Sequence, residues 1–222
     1  MKFFLGVFLF VFCLLNCSLA QQNDFGFWSG ISIRKKLNST FSADFSQQIN
    51  TKENSTRTDK FFSQIGLTYK ISNHFKLNVA YRFSQIQNIN FSYKYANRLQ
   101  SDLTVFYKLR NFKLSYRMRL QNQYEEINTS ENGKKPITVF RQRANVELDY
   151  GRRITPSFSV EYFYGVKSFM PSNLSSERYR ATLNYDINNK NKVQVFYQFQ
   201  NKWNVKLPVN SYIIGFMYGF DL

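Results

Sequence analysis

The sequence predicts an all-β chain: a closed, antiparallel, up-and-down transmembrane β-barrel of about 10–12 strands, preceded by a cleaved signal peptide. Three observations predict it. Beyond residue 20, apolar and polar side chains alternate almost without a break, the period of a strand whose two faces meet different surroundings. The alternating runs last roughly 10–14 residues, whereas soluble strands average about 5–6 and bilayer-crossing strands need about 9–11. Aromatic residues (24 Phe, 15 Tyr and 2 Trp in 222 residues) gather near both ends of the apolar faces, where membrane barrels carry girdles. A mean hydropathy of −0.42 excludes a bundle of apolar helices but not a barrel, in which the two faces average out.

The first twenty residues read as a leader. Met1-Lys2 precedes the apolar run Phe3 to Leu15, followed by Ser18-Leu19-Ala20. Small residues at Ser18 and Ala20 suit signal peptidase, so residues 1–20 are expected to be removed before Gln21, leaving 21–222 as the barrel. Leu14-Leu15-Asn16-Cys17 also resembles a lipobox, although Asn16 stands where Gly, Ala or Ser is expected, so lipidation of Cys17 stays open. Both cysteines, Cys13 and Cys17, lie in this segment. With it removed, disulfide and thiol chemistry have no place in the mature chain.

Eleven alternating runs follow: 25–34, 39–49, 59–71, 75–86, 95–109, 112–124, 137–150, 156–167, 176–187, 192–203 and 210–222. In the fourth, Phe75, Leu77, Val79, Tyr81 and Phe83 oppose Lys76, Asn78, Ala80, Arg82 and Ser84. The first run is the weakest, because Gly26 and Gly30 can bend a strand. Bacterial single-chain barrels use even numbers. Ten strands are expected if that run falls short, and twelve if a long segment hides another crossing. Tight connections at Ser72-Asn73-His74, Arg110-Asn111, Gly151 to Thr155 and Asn188 to Asn191 alternate with longer ones near 50–58, 87–94, 125–136, 168–175 and 201–209. Short turns on one rim and long loops on the other mark the periplasmic and external ends of an outer-membrane barrel.

On the apolar face, Tyr69, Phe75, Tyr107, Phe112, Tyr150 and Phe158 cluster toward the short turns. Phe61, Phe83, Tyr124, Phe140 and Tyr164 cluster toward the long loops. Residues of the two sets are about eight positions apart, on the order of 20 Å along the membrane normal at about 3.3 Å rise and roughly 40° tilt. A soluble barrel with these rings turned inward would be overfilled.

The opposite face carries charge. Alternation points Arg82, Arg98, Arg117, Arg119, Arg141, Arg143, Arg178, Arg180, Glu147, Asp149 and Glu161 into the lumen, with the arginines toward the loop half and Glu147 and Asp149 toward the turns. Two readings stand side by side. Arg–carboxylate pairs close the lumen, or the surplus cations form a constriction for small anionic solutes. Without residues 1–20 the formal net charge falls from +16 to +15. Rings and charges lie on opposite faces, so a nucleic-acid partner, which needs both on one face, is not expected.

Little in the chain suggests catalysis. His74, the one histidine, sits in a tight turn two residues after Ser72, and Glu125-Glu126 lies in a loop with other charges. Both read as solvated surface. No metal-ligand spacing and no phosphate-binding glycine loop occur, so no metal and no cofactor are expected.

The ending Tyr218, Phe220 and Leu222 resembles the C-terminal assembly signal of outer-membrane proteins, with Leu in place of the usual final Phe. Together with Phe25-Gly26-Phe27-Trp28-Ser29-Gly30, Lys60-Phe61-Phe62, Ile71-Ser72-Asn73-His74-Phe75, Ala80-Tyr81-Arg82-Phe83 and Tyr218-Gly219-Phe220, it resembles a family of small Gram-negative outer-membrane barrels known as a domain of unknown function (number 2490). The resemblance spans the mature chain and implies fold and outer-membrane address. It carries no functional residues. The expected role is non-enzymatic: a structural or surface barrel, or a narrow porin-like pore. The expected partners are membrane lipid, lipopolysaccharide and the outer-membrane assembly machinery. A lipid-active barrel enzyme and an accessory subunit of an envelope complex are the alternatives.

Overall fold

A computed structural model of the chain describes residues 22–88, 90–126, 135–151, 153–167, 170–203 and 209–222. The expected leader, with Cys17, lies outside them. The described residues form eleven strands: β1 (Gln22–Lys36), β2 (Phe41–Lys52), β3 (Arg57–Lys70), β4 (Phe75–Gln87), β5 (Tyr93–Leu109), β6 (Phe112–Glu125), β7 (Ile137–Leu148), β8 (Ile154–Lys167), β9 (Met170–Asp186), β10 (Asn191–Lys202) and β11 (Val209–Asp221). Each pairs with its sequence neighbours, and β1 meets β11 to close the barrel. The all-β, up-and-down barrel predicted by alternation is the fold.

Ten of the eleven pairings are antiparallel; the closing one is not. β1 and β11 run parallel, in unbroken register from Gln22 opposite Val209 to Arg34 opposite Asp221. An odd strand count forces this, because the first and last strands then point the same way. Eleven strands fall within the expected ten to twelve; only the even number that parity favoured is not met. The first run crosses in full, and its glycines serve close packing instead of a bend. A Cβ on Gly30 would lie 2.4 Å from the Gln47 carbonyl oxygen of β2, so β1 and β2 approach as only glycine allows there. Parallel pairs are slightly weaker per residue than antiparallel ones; here the pairing runs without a break from Gln22 to Arg34.

The short turns are sealed by their own side chains. Asn38 Oδ1 accepts from the Thr40 and Phe41 amides, Ser72 Oγ from those of His74 and Phe75, and Asn188 Oδ1 from those of Lys190 and Asn191. Such local bonds let a chain reverse in two to four residues. At the other rim two expected long connections are short. The segment near 50–58 narrows to Glu53–Thr56 between β2 and β3, and β8 and β9 extend into the segment near 168–175. Their pairing there is irregular, with register shifts around Tyr164, which is why alternation fades in the sequence.

Burial is inverted relative to a soluble protein. Buried apolar side chains among the described residues are few (Phe62, Ala80, Ala96, Phe196 and Ile213), while Asn50, Gln100 and Gln198 are almost fully enclosed. Large apolar side chains such as Phe45, Ile65, Val79, Leu99, Tyr116, Val195 and Phe216 face outward. A contiguous apolar exterior of this extent is far larger than soluble surfaces carry and has its lowest free energy against lipid tails. No helix among the described residues is long and apolar enough to cross a membrane.

The expected girdle residues lie on this outer face. Tyr69, Phe75, Tyr107, Phe112, Tyr150, Phe158, Phe61 and Phe83 are exposed. Tyr124, Phe140 and Tyr164 follow the same alternation and are half-buried among their neighbours. Phe41 stacks on Tyr69 near the turns, and Phe83 on Tyr95 near the loops, with centroids 5.0 and 5.7 Å apart. Tyr179, Phe199 and Tyr212 continue the loop-side row. Tyr218 and Phe220 lie on the outer face of β11, within its last four residues, and Leu222 is exposed beyond it.

Candidate functional site

Strand alternation collects eight guanidinium groups in one space. Arg82 (β4), Arg98 (β5), Arg117 and Arg119 (β6), Arg141 and Arg143 (β7), and Arg178 and Arg180 (β9) line a cavity of about 310 Å³, together with Glu161 of β8. These are the eight arginines and one of the acids that alternation points inward. Glu147 and Asp149 lie elsewhere. They sit at the turn mouth beside Lys113 and Lys108, at 3.2 and 3.7 Å, and line neither this cavity nor the one described below. Their distance along the strand, already visible in the sequence, separates them from the arginines.

Register places like charges face to face. Arg117 opposes Arg143, and Arg119 opposes Arg141, on the β6–β7 ladder. Directly opposed like charges destabilise a sheet, so compensation has to come from the flanking strands. Asp102 on β5 takes the Arg119 fork, accepting from Nε and Nη2, both at 2.6 Å. Glu161 on β8 takes three guanidiniums. Its Oε1 accepts from Arg117 Nη2 at 2.5 Å and Arg141 Nη2 at 2.9 Å, and its Oε2 accepts from Arg178 Nη1 at 3.4 Å. Both carboxylates are deeply buried. Charged forks of this kind are strong and directional.

Arg82, Arg98 and Arg180 are hydrogen-bonded to glutamines without being neutralised, and Arg178 adds such a bond to its pair with Glu161. Arg82 donates twice to Gln64 Oε1, at 2.9 and 2.8 Å. Arg98 forks onto Gln123, Arg180 onto Gln198, and Arg178 onto Gln200. A glutamine carbonyl orients a guanidinium and leaves its charge intact. Inward rings hold the planes from the other side. The guanidinium carbon of Arg82 lies 3.7 Å over Phe62, that of Arg141 lies 4.3 Å over Phe163, and that of Arg180 lies 4.2 Å over Phe196. Trp28 of β1 meets Phe196 edge-on at 6.2 Å, and Gly215 opposite leaves room for the Phe196 ring, which would overlap any Cβ there.

These inward rings and glutamines are the part that sequence reading does not single out. Phe62 and Phe163 stand beside outward rings, in Phe61-Phe62 and Tyr162-Phe163-Tyr164, where two rings in succession must occupy both faces. That break in alternation was the available signal.

A second cavity, of about 580 Å³, lies at the turn end. Arg34, Lys36, Lys70 and Lys76 line it with Asn38, Ser42, Thr68, Asn78, Thr104 and Phe106. The two cavities share no lining residue. His74 belongs to the turn, where Nδ1 lies 3.2 Å from the Phe106 carbonyl oxygen; Ser72 Oγ accepts from the His74 backbone amide. Glu125 is paired with Lys94 at 2.7 Å. Among the described residues no group of three His, Cys, Asp or Glu side chains is placed to hold a metal ion.

Residues 25–207 match the family described as "Protein of unknown function (DUF2490)". The chain belongs to this family. Among solved structures, the DUF2490 barrel is similar to the NanC porin (11% identity, TM-score 0.49), over 79% of this chain and 85% of that one. It is also similar to the β domain of the Bordetella autotransporter BrkA (8% identity, TM-score 0.46), over 80% and 82%. A third is Acinetobacter baumannii OccAB4 (13% identity, TM-score 0.38), over 79% of this chain and 50% of that one. No curated protein matches its sequence. The DUF2490 chain thus has its family from sequence and its barrel from its own coordinates.

Proposed function

We propose that this DUF2490 protein is an outer-membrane barrel that acts as a narrow, anion-preferring pore and catalyses no reaction. One observation carries the reading. Eight lumen guanidiniums meet two carboxylates, Asp102 and Glu161. Cations held in a narrow low-dielectric space need counter-charge, and when the chain supplies too little, anions from solution complete it. Such a space lowers the energy of an entering anion and raises that of a cation.

The apolar exterior and two aromatic rows support an outer-membrane address with lipid and lipopolysaccharide as the surrounding partners. The outward Tyr218 and Phe220 at the end of β11 support their reading as an assembly signal. His74 turns its ring to a backbone carbonyl instead of a hydroxyl, which supports a non-enzymatic role.

The test is the reversal potential of the purified chain in a planar bilayer under a potassium chloride gradient. A potential near the chloride equilibrium value is expected, moving toward zero in Arg82→Gln, Arg98→Gln and Arg180→Gln. Those three side chains are bonded to glutamines, so their replacement removes charge without breaking an ion pair. A cation-preferring current contradicts the reading. A silent barrel favours a structural, plugged role.

A further inference from the structure

The arginine chamber offers more donors than the chain supplies acceptors. Glu161 is the register neighbour of Arg143, yet its carboxylate turns to Arg117, Arg141 and Arg178. Arg143 makes no hydrogen bond or ion pair to another described side chain. Its Nε, and that of Arg117 opposite, are buried without a partner. The Arg180 fork has a neutral glutamine as its acceptor. Between these side chains, Ser159 of β8 opposes Arg180 in register and lines the same cavity, with no side-chain bond to a described residue.

We propose that this chamber is a binding site for a compact oxyanion, a phosphate or sulfate group, held by Arg117, Arg143 and Arg180 with the Ser159 hydroxyl. The proposal rests on the anion-preferring reading and names the ion that the lumen selects. A buried guanidinium without an acceptor costs free energy until one arrives. The donors left over stand on three different strands and line one cavity. Both lumen carboxylates are already engaged, Asp102 by the Arg119 fork and Glu161 by Arg117, Arg141 and Arg178. A tetrahedral group with three or four oxygens reaches several forks at once. Chloride is spherical and rewards no such arrangement. The guanidinium of Arg180 is fixed between Gln198 and the Phe196 ring, so little ordering remains to be done on binding. A cavity of about 310 Å³ sits at the small end of ligand sites, about 300–1,000 Å³. It admits the free ion or a small ester and excludes a polymer.

Trp28 lines the chamber, with its ring 5.9 Å from the Arg180 guanidinium, and Trp203 is the only other tryptophan. The experiment uses the full chain folded in detergent and carrying Trp203→Phe, so that fluorescence reports Trp28. Sodium phosphate, sodium sulfate, sodium chloride and glycerol phosphate are titrated at matched ionic strength. Saturable responses to phosphate and sulfate are expected, with midpoints at least tenfold below chloride. A glycerol phosphate midpoint equal to that of phosphate assigns the site to phosphorylated solutes. A response to the inorganic ions alone assigns it to the free oxyanion.

Arg143→Gln and Ser159→Ala are expected to raise the phosphate midpoint at least tenfold and about threefold. If Arg143→Gln fails to fold, Arg143→Lys, which keeps the charge and loses the fork, is expected to weaken phosphate while leaving chloride unchanged. Equal midpoints for phosphate and chloride, or an Arg143 variant that titrates like the parent, overturn the site. An anion current without phosphate preference overturns the site and leaves the pore. Phosphate binding by a barrel that does not conduct overturns the pore and leaves the site.

Discussion

Arg117 and Glu161 lie on β6 and β8, strands that are not neighbours, and their charges meet across β7 at 2.5 Å. The contact reaches over the backbone of an intervening strand. It does so because β7 presents arginines of its own, Arg141 and Arg143, and so adds to the cationic excess. One carboxylate therefore ties together three strands: β6 through Arg117, β7 through Arg141 and β9 through Arg178.

Glu161→Gln is expected to be the most damaging single substitution in the lumen. It keeps the shape and removes the charge on which three guanidiniums converge. Breaking a buried pair from one side costs about 3–5 kcal/mol. The unfolding midpoint in urea, followed by the mobility shift between folded and unfolded barrel on a gel, should fall by that equivalent. An unchanged midpoint would mean that solvent ions already neutralise these arginines.

Arg143→Gln should act in the opposite direction. It removes a buried cation that has no hydrogen-bond or ion-pair partner among the described side chains and relieves the opposition to Arg117 on the ladder. A gain of about 1–3 kcal/mol is expected, the typical penalty of an unsatisfied buried group. It should show in phosphate-free buffer and shrink when phosphate stabilises the parent protein, because a ligand stabilises only the chain that binds it. Equal gains in both buffers would disconnect Arg143 from ligand binding.

Gly215→Ala is expected to unseat the Phe196 ring, because the new Cβ would lie 2.0 Å from Phe196 Cζ. Overpacking of this sort costs about 1–3 kcal/mol. Adding Phe196→Leu should recover most of the loss, a coupling that a double-mutant cycle measures. Independent, additive losses would place the strain elsewhere.

The parallel seam makes a topological prediction. β1 begins and β11 ends at opposite rims. A tag inserted just before Gln22 should be accessible from the same side of a reconstituted membrane as one placed in the loop after Glu126. A tag after Leu222 should be accessible from the other side, with the Asn188 turn. Accessibility of both end tags from one side would require an even strand number.

Much of this architecture is legible in the residues. Period-two alternation locates all eleven strands, because each long strand separates two media, but it misses the start of β9, which begins at Met170 where the pairing with β8 is irregular. It also selects all eight chamber arginines and Glu161, since facing is a matter of parity alone. The closing geometry is harder to see. Nothing local in Phe25 to Ile33 says that β1 will accept a parallel neighbour, and the count becomes decisive only once Gly26 and Gly30 are seen to pack instead of bend. Partner choice is equally hidden. That Glu161 passes over Arg143 in favour of Arg117, and that Gln64, Gln123, Gln198 and Gln200 hold arginines, depends on barrel curvature and side-chain reach, which sequence spacing does not encode.

The inward arginines and outward rings can be tested on one strand. Residues 22–222 contain no cysteine, so single cysteines along β4 can carry spin labels in the lipid-reconstituted protein. Collision with oxygen, which concentrates in hydrocarbon, is expected to be high at positions 77, 79, 81 and 83 and low at 78, 80 and 82. A flat profile, or one with its maxima at 78, 80 and 82, would contradict the account.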